Sequence, residues 1–295
     1  MSSILTNASA LSALQSLRQT QQALKTTENQ VSTGLAVATA ADNTSYWSIA
    51  TQLNADSGVV TAANQALSQS QSVLSTASSA ISSVITTINA IETALTQATN
   101  PGAAIGNIDT TLAALGKQLQ DAVSGASFNG LNVLDGSQTA ALGFVAGFNA
   151  SATGGTVNTI SFTSSALIDG TGSGKGILEG GTGSATATGT NLLTLSTVAT
   201  SAATASTALQ GVATVLNAVT NYAASIGATQ DRMTAASNFN SALTTNYSTG
   251  ISALVDADMN QASTRLQALQ TQEQLGIQSL SIANQNSQLI LKLFS

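Results

Sequence analysis

Residues 46–99 read YWSIATQLNADSGVVTAANQALSQSQSVLSTASSAISSVITTINAIETALTQAT. Tyr46, Leu53, Val60, Leu67, Leu74, Ile81, Ile88 and Leu95 recur in this stretch at every seventh position. Three places after each stand Ile49, Asp56, Ala63, Ser70, Ala77, Val84, Ile91 and Ala98. A repeat of seven keeps one stripe of a helix turned toward a partner helix, so this is the seam of a coiled coil. Such a helix is about 80 Å long at its usual rise per residue. Asp42, Asn43 or Thr44 can cap its start. Asn100-Pro101-Gly102 stops it, because proline cannot continue a helix.

The same three-and-four spacing recurs on either side. Leu11, Leu14, Leu17, Leu24, Val31 and Leu35 form a stripe closed by Gly34. A second runs through Ile105, Ile108, Leu112, Leu115, Leu119, Ala122 and Ala126, ending near Ser127. A third runs through Val198, Ala202, Ala205, Leu209, Val212, Leu216, Val219, Ala223 and Ile226. Locally, each stripe reads as ordinary core packing. Together they predict a mainly α, elongated antiparallel bundle of coiled-coil helices. Between the helices, residues 142–148 and 156–162 read as a β-hairpin joined through Thr153-Gly154-Gly155. Residues 164–190 are rich in Gly, Ser and Thr and read as a surface loop or small excursion.

The last helix, predicted over residues 234–293, is different. At 100° per residue, Leu266, Leu269, Ile277, Leu280, Ala283, Leu291 and Phe294 share one face. Leu275, Ile282, Leu289 and Leu293 lie roughly opposite. One neighbouring helix cannot cover both faces, so the second predicts association with other chains.

Composition removes most alternatives. Of 295 residues only 7% are charged, against about a quarter in ordinary globular chains, while 43% are hydrophobic. The net charge of -6, with seven scattered Lys and Arg, gives no basic footprint for nucleic acid or an anionic membrane. Without His, no Ser-His-Asp triad or HExxH zinc site can form. Without Cys there is no thiolate chemistry and no disulfide. No enzymatic activity, cofactor or metal is expected. The N-terminal residues lack the pattern of a secretory signal, and no stretch is expected to span a bilayer.

Two short motifs invite a chemical reading and fail it. Residues 169–176, DGTGSGKG, have Asp169 where a phosphate-binding loop needs its first Gly, and Gly176 where it needs Ser or Thr. Asp256 and Asp258 are two apart, a spacing that does not converge on a helix, so polar surface contacts are expected of them.

The two ends of the chain resemble the bacterial flagellin family. Near the N-terminus, Ile4-Leu5-Thr6-Asn7, Ala10-Leu11, Val31-Ser32-Thr33-Gly34-Leu35 and Ala41-Asp42 follow its opening pattern. Phe128-Asn129-Gly130-Leu131-Asn132-Val133-Leu134 is similar to its signature after the third helix. Residues 226–233 (IGATQDRM), residues 255–259 (VDADM), Leu275-Gly276 and Ile282-Ala283-Asn284-Gln285 continue the match toward the apolar end.

The resemblance implies a filament subunit of the flagellum, the propeller of swimming motility. It implies an N-terminal inner-tube helix over 1–42, rod-domain helices and hairpin over 43–163 and a short variable surface segment over 164–190. A rod-domain C-terminal helix over 191–233 and a C-terminal inner-tube helix over 234–295 follow. The terminal helices would pair antiparallel. Implied partners are further copies in a helical homopolymer, the flagellar export apparatus, an export chaperone, and cap and hook-junction proteins. The implied location is extracellular, reached through the flagellar secretion channel, which accounts for the missing secretory signal.

Subunit contacts are expected at Leu14, Leu17, Leu24, Leu275, Leu280, Ile282, Leu289 and Phe294. Tyr46-Trp47 stand where the family commonly has Gly and an apolar residue, so Trp47 either docks a neighbour or packs within its own chain. Ala90, Glu92 and Ala94 replace the two Arg and the Leu that vertebrate innate receptors read in many flagellins. The competing readings are a hook–filament junction protein of the same family and a secreted coiled-coil effector or adhesin.

Overall fold

A computed structural model of the chain describes residues 7–138, 140–150, 155–169, 176–179, 191–197 and 202–293, with side chains except at 196–197, 202 and 286–293. The fold is mainly α. In chain order it runs α1 (Ala8–Thr33), α2 (Thr44–Ala98), α3 (Ile105–Ser124), β1 (Ser127–Phe128), β2 (Leu131–Asn132), β3 (Leu142–Asn149), β4 (Thr156–Phe162), α4 (Ala202–Val255) and α5 (Met259–Leu293). Short 3₁₀ turns cover Ile177–Glu179 and Leu192–Thr197. The chain divides into two compact units. One comprises Met1–Ser57 with Thr245–Ser295, the other Gly58–Thr244, and α2 and α4 contribute to both.

The seam of α2 builds the second unit. Val60, Leu67, Leu74, Ile81, Ile88 and Leu95 are fully buried, as are their partners Ala77, Val84 and Ile91. From Leu67 onward they share one apolar cluster with Leu112, Leu119 and Val123 of α3 and with Val212, Val219, Ile226 and Met233 of α4. Asn132 fixes the chain after α3, donating from Nδ2 to the Val123 carbonyl (2.8 Å) and accepting from the Leu134 amide (2.9 Å). The two-residue turn Asn129-Gly130, with φ of 52° and 78°, joins β1 to β2. Positive φ at both places matches the twist of a tight hairpin, which is why Asn-Gly serves there. Strands β3 and β4 pair antiparallel with a bulge between Val145 and Gly147. The hairpin plants Phe144, Ile160 and Phe162 in the core, with Phe162 6.1 Å from the Tyr222 ring. The Tyr222 hydroxyl donates to the Val133 carbonyl at 2.8 Å, and burial pushes its pKa up.

Several expectations need correction. The long apolar run expected as one helix over 234–293 is broken: α4 continues to Val255 and α5 begins at Met259. Backbone pairing to another segment outweighs helix continuation here. Ala36 and Val37 amides donate to the Val255 carbonyl (2.7 and 3.2 Å), and the Ala257 amide donates to the Gly34 carbonyl (2.8 Å). Asp258 then caps α5, its carboxylate accepting from the Asn260 and Gln261 amides (3.0 and 3.2 Å). The α3 helix stops at Ser124, and Ser127 begins β1.

The 164–190 segment is not simply a surface loop. Leu167, Ile168, Ile177 and Leu178 are core residues, and the Glu179 carboxylate gathers the Asp169 and Gly176 amides (2.9 and 3.2 Å). Residues 170–175, the middle of the glycine-rich stretch, lie outside the described residues. By length and composition alone, α2 is apolar enough to cross a membrane, contrary to expectation, with a window of mean hydropathy 1.2. Its seam from Val60 to Ala98 is instead spent inside the second unit. Ala94 is likewise core, so of Ala90, Glu92 and Ala94 only the first is exposed, and Glu92 is half-buried.

Candidate subunit interface

Helix α1 is closed at both ends by local chemistry. The Asn7 side chain accepts from the Ala10 amide (3.0 Å), and Gly34, at φ 74°, turns its amide back to the Gln30 carbonyl (2.9 Å). Glycine, with no Cβ, adopts that left-handed φ at no steric cost. Along its length α1 lies antiparallel to α5. Asn7 Nδ2 donates to the Ala283 carbonyl at 2.9 Å, and Gln21 Nε2 donates to Glu273 Oε1 at 3.0 Å. Between them Leu17 lies so close to Gly276 that a Cβ there would meet Leu17 Cδ1 at 3.2 Å.

This pairing covers one stripe of α5 and leaves the other open. Ala262 and Leu269 are buried, and Leu266, Glu273, Gly276, Leu280 and Ala283 are half-buried. Those positions alternate steps of four and three, the 3.5-residue period of a coiled coil. Leu275 and Ile282, seven apart, stand 56% and 61% exposed. Ile277, read from the sequence as part of the covered face, is exposed too. The 100° projection used for that reading drifts away from a 3.5-residue seam over successive turns.

The other expected contact residues divide in the same way. Leu14, Leu17 and Leu24 are half-buried on α1, while Leu11, grouped with them in the sequence, is exposed. The Leu289 side chain and all of Phe294 lie outside the described residues. Trp47 is 39% exposed, and beside it Tyr46 and Ile49, expected in the seam of α2, are exposed as well. The first turn of that seam is thus only partly covered within its own chain.

The bend leading into α2 is polar and ordered by one carboxylate. Asp42 accepts from the Ala38 amide (3.2 Å), the Thr39 amide (2.8 Å) and the Thr39 hydroxyl (3.0 Å). The Thr39 bonds above all hold its pKa below the ordinary Asp value. Asn43 then caps α2, accepting from the Ser45 and Tyr46 amides, both at 3.1 Å. Nearby, Val37, Ala50 and Val255 make a small apolar cluster that pins the bend.

The sequence matches the family model of the bacterial flagellin N-terminal helical region over residues 4–139. It matches that of the bacterial flagellin C-terminal helical region over residues 209–294. It is 39% identical to flagellin C of Rhizobium meliloti (strain 1021), covering 100% of this chain and 99% of that one. It is 37% identical to a flagellin of Brucella melitensis, again over 100% and 99% of the two chains. Among solved structures, a Bacillus cereus flagellin matches with a TM-score of 0.44 and 20% identity, over 59% of this chain and 88% of that one.

Proposed function

The chain belongs to the bacterial flagellin family and is a structural subunit of the flagellar filament, and from this premise we propose how it assembles. The open face of α5 is the main inter-subunit contact. The observation that carries this is the exposure of Leu275 and Ile282 on a helix whose opposite stripe is already against α1. Leu289 continues the seven-residue spacing. The family forms a polymer, so each copy has neighbours able to cover such a face, and each covered Leu or Ile contributes about 1.5–3 kcal/mol. Half-buried Leu14, Leu17, Leu24 and Leu280 complete the contact from the edges of the pair, Phe294 extends it, and Trp47 adds a separate anchor.

The remaining partners follow from the same role. The subunit passes through the flagellar secretion channel with an export chaperone, and meets cap and hook-junction proteins at the filament's ends. A chain without Cys suits passage in an unfolded state, since no disulfide has to form or break. The working location is the extracellular filament.

The test changes the face as a whole, because one lost side chain can be absorbed by its stripe. Full-length Leu275→Ser, Ile282→Ser, Leu289→Ser protein is expected to stay soluble and melt cooperatively, yet give no filaments by electron microscopy after salting-out onto sheared filament seeds. Normal filaments from this triple variant would remove the basis of the proposal.

A further inference from the structure

The turn between β1 and β2 carries a chemistry of its own. Of all the asparagines in the chain, only Asn129 is followed by glycine. Both Asn129 and Gly130 are exposed, and a Cβ built on Gly130 would meet nothing within 4 Å. Asn129 is also the one non-glycine with a positive φ, 52°, among the described residues. Within that same set, no hydrogen-bond partner holds its carboxamide or the Gly130 amide.

An asparagine carboxamide and the backbone nitrogen that follows it are spaced to close a five-membered ring. The Gly130 nitrogen, once its proton passes to solvent base, can attack Asn129 Cγ. A new Cγ–N bond forms, the Cγ–Nδ2 bond breaks, and the side-chain nitrogen leaves as ammonia. Water then opens the cyclic imide at either carbonyl. Hydrolysis at Cγ gives aspartate. Hydrolysis at the main-chain carbonyl gives isoaspartate, whose backbone runs through the former side chain. Glycine matters here because a side chain on the attacking residue would crowd the approach.

The hairpin slows this step without forbidding it. Ring closure swings the peptide plane between Asn129 and Gly130, which the flanking pairs Phe128↔Leu131 and Ser127↔Asn132 resist. Those two pairs are the whole β1–β2 ladder. So short a hairpin is marginal by itself, and an exposed turn opens locally at far less cost than global unfolding. The two products leave different marks. Aspartate followed by glycine suits the same turn. Isoaspartate adds a carbon to the backbone, so the pairs beside it lose register. Just beyond stand Asn132, bonded to the Val123 carbonyl at the end of α3 (2.8 Å), and fully buried Val133 and Leu134.

We propose that Asn129 is a site of spontaneous covalent modification, in which imide formation with Gly130 and hydrolysis yield aspartate and isoaspartate, the latter loosening the hairpin from α3. The modification belongs to the single subunit and needs no assembly.

To test it, freshly purified full-length protein is held in mildly alkaline buffer and sampled over time, with a parallel sample in guanidinium chloride. The tryptic peptide 118–175 is then sequenced by mass spectrometry. The mass gain of replacing an amide NH2 by OH is expected at Asn129 before any other asparagine, with aspartate and isoaspartate both present. Conversion in the folded chain is expected to be about five- to thirtyfold slower than in guanidinium chloride, as local opening of one turn requires. Conversion led by another asparagine would overturn the proposal. So would a folded chain left unconverted while the unfolded sample is consumed, because the turn would then open only with the whole unit. The structural consequence is read separately. Asn129→Asp carries the same added charge on a normal backbone and is expected to melt at the wild-type temperature. The converted fraction of wild type, isolated by anion exchange and containing isoaspartate, is expected to melt lower than Asn129→Asp. Equal melting of the two would overturn the loosening of the hairpin.

Discussion

Helices α1 and α2 carry the same seven-residue repeat, yet one is buried along most of its seam and the other is scarcely buried anywhere. From Val60 to Leu95 the Val, Leu and Ile residues of the α2 seam are at zero or near-zero exposure, and Ser70 alone of the seam is half-buried. On α1 the corresponding positions are Ala10, Ala13, Leu17, Thr20, Leu24, Thr27 and Val31, of which only Thr27 is buried. Its hydroxyl is satisfied within its own helix, donating to the Ala23 carbonyl at 2.9 Å. A repeat says which face of a helix is used and nothing about how many partners cover it. Helix α2 meets α3, α4 and the hairpin in one cluster, whereas α1 meets α5. The second unit can thus hold itself together, while the α1–α5 pair has faces left over for other copies.

The sharpest way to break this comparison is to remove matched side chains from the two regions. Ile88→Ala, in the fully buried seam, should destabilise the monomer by about 2–5 kcal/mol in denaturant unfolding. Ile282→Ala, on the open face of α5, should change monomer stability by no more than about 0.5 kcal/mol. Comparable losses from the two substitutions would mean that the α5 face is already covered within one chain.

A second, smaller contrast concerns local opening. The side chains of Arg18, Lys25, Lys117, Arg232 and Arg265 are all exposed, so side-chain access alone does not rank them as trypsin sites. Backbone opening does, because a helix with few buried contacts opens more often than one anchored in a core. In the free subunit, cleavage at Arg18, Lys25 and Arg265 is expected well before Lys117 and Arg232. Less selective proteases should then trim roughly the first 40 and last 45 residues. Mass spectrometry of a digestion time course provides the order, and early cuts at Lys117 or Arg232 would contradict it.

What the sequence makes legible follows the same division. The α2 heptads, the Pro101 stop, the hairpin and the Gly34 cap are local patterns with local causes, and each is where its residues place it. The break before α5 has a non-local cause, backbone pairing of residues 34–37 with 255–257, that no window of sequence contains. Its visible trace is Asp258 ahead of Met259, an N-cap residue hidden inside a continuing apolar rhythm. Leu167-Ile168 and Ile177-Leu178 were masked by the Gly, Ser and Thr around them, because average composition hides two apolar pairs. Asn129-Gly130 was a readable hairpin signal in its own right.

The smallest expected effect concerns acid, and it separates the two regions by titration. The seam positions of α2 from Val60 to Ala98 carry no ionisable side chain, so acid acts on that core only indirectly. The bend into α2 depends on Asp42, whose ionised carboxylate accepts three hydrogen bonds from Ala38 and Thr39. Those bonds, the Thr39 ones first, lower its folded pKa below the unfolded value. The sign follows directly. Stabilisation of the bend is fully present above the ordinary Asp pKa of about 4 and is lost as pH falls through the lowered folded value. Because Asp42 is exposed to solvent, the effect is local and reads out best as amide exchange. On acidification the Ala38 and Thr39 amides should lose protection, after correction for intrinsic exchange, while amides along the buried part of α2 keep theirs. Asp42→Asn retains an acceptor oxygen but not the charge, so these two amides should be less protected at neutral pH and no longer respond to acid through this side chain. The same acid-induced loss at Ala38 and Thr39 in wild type and variant would show that Asp42 does not govern the bend.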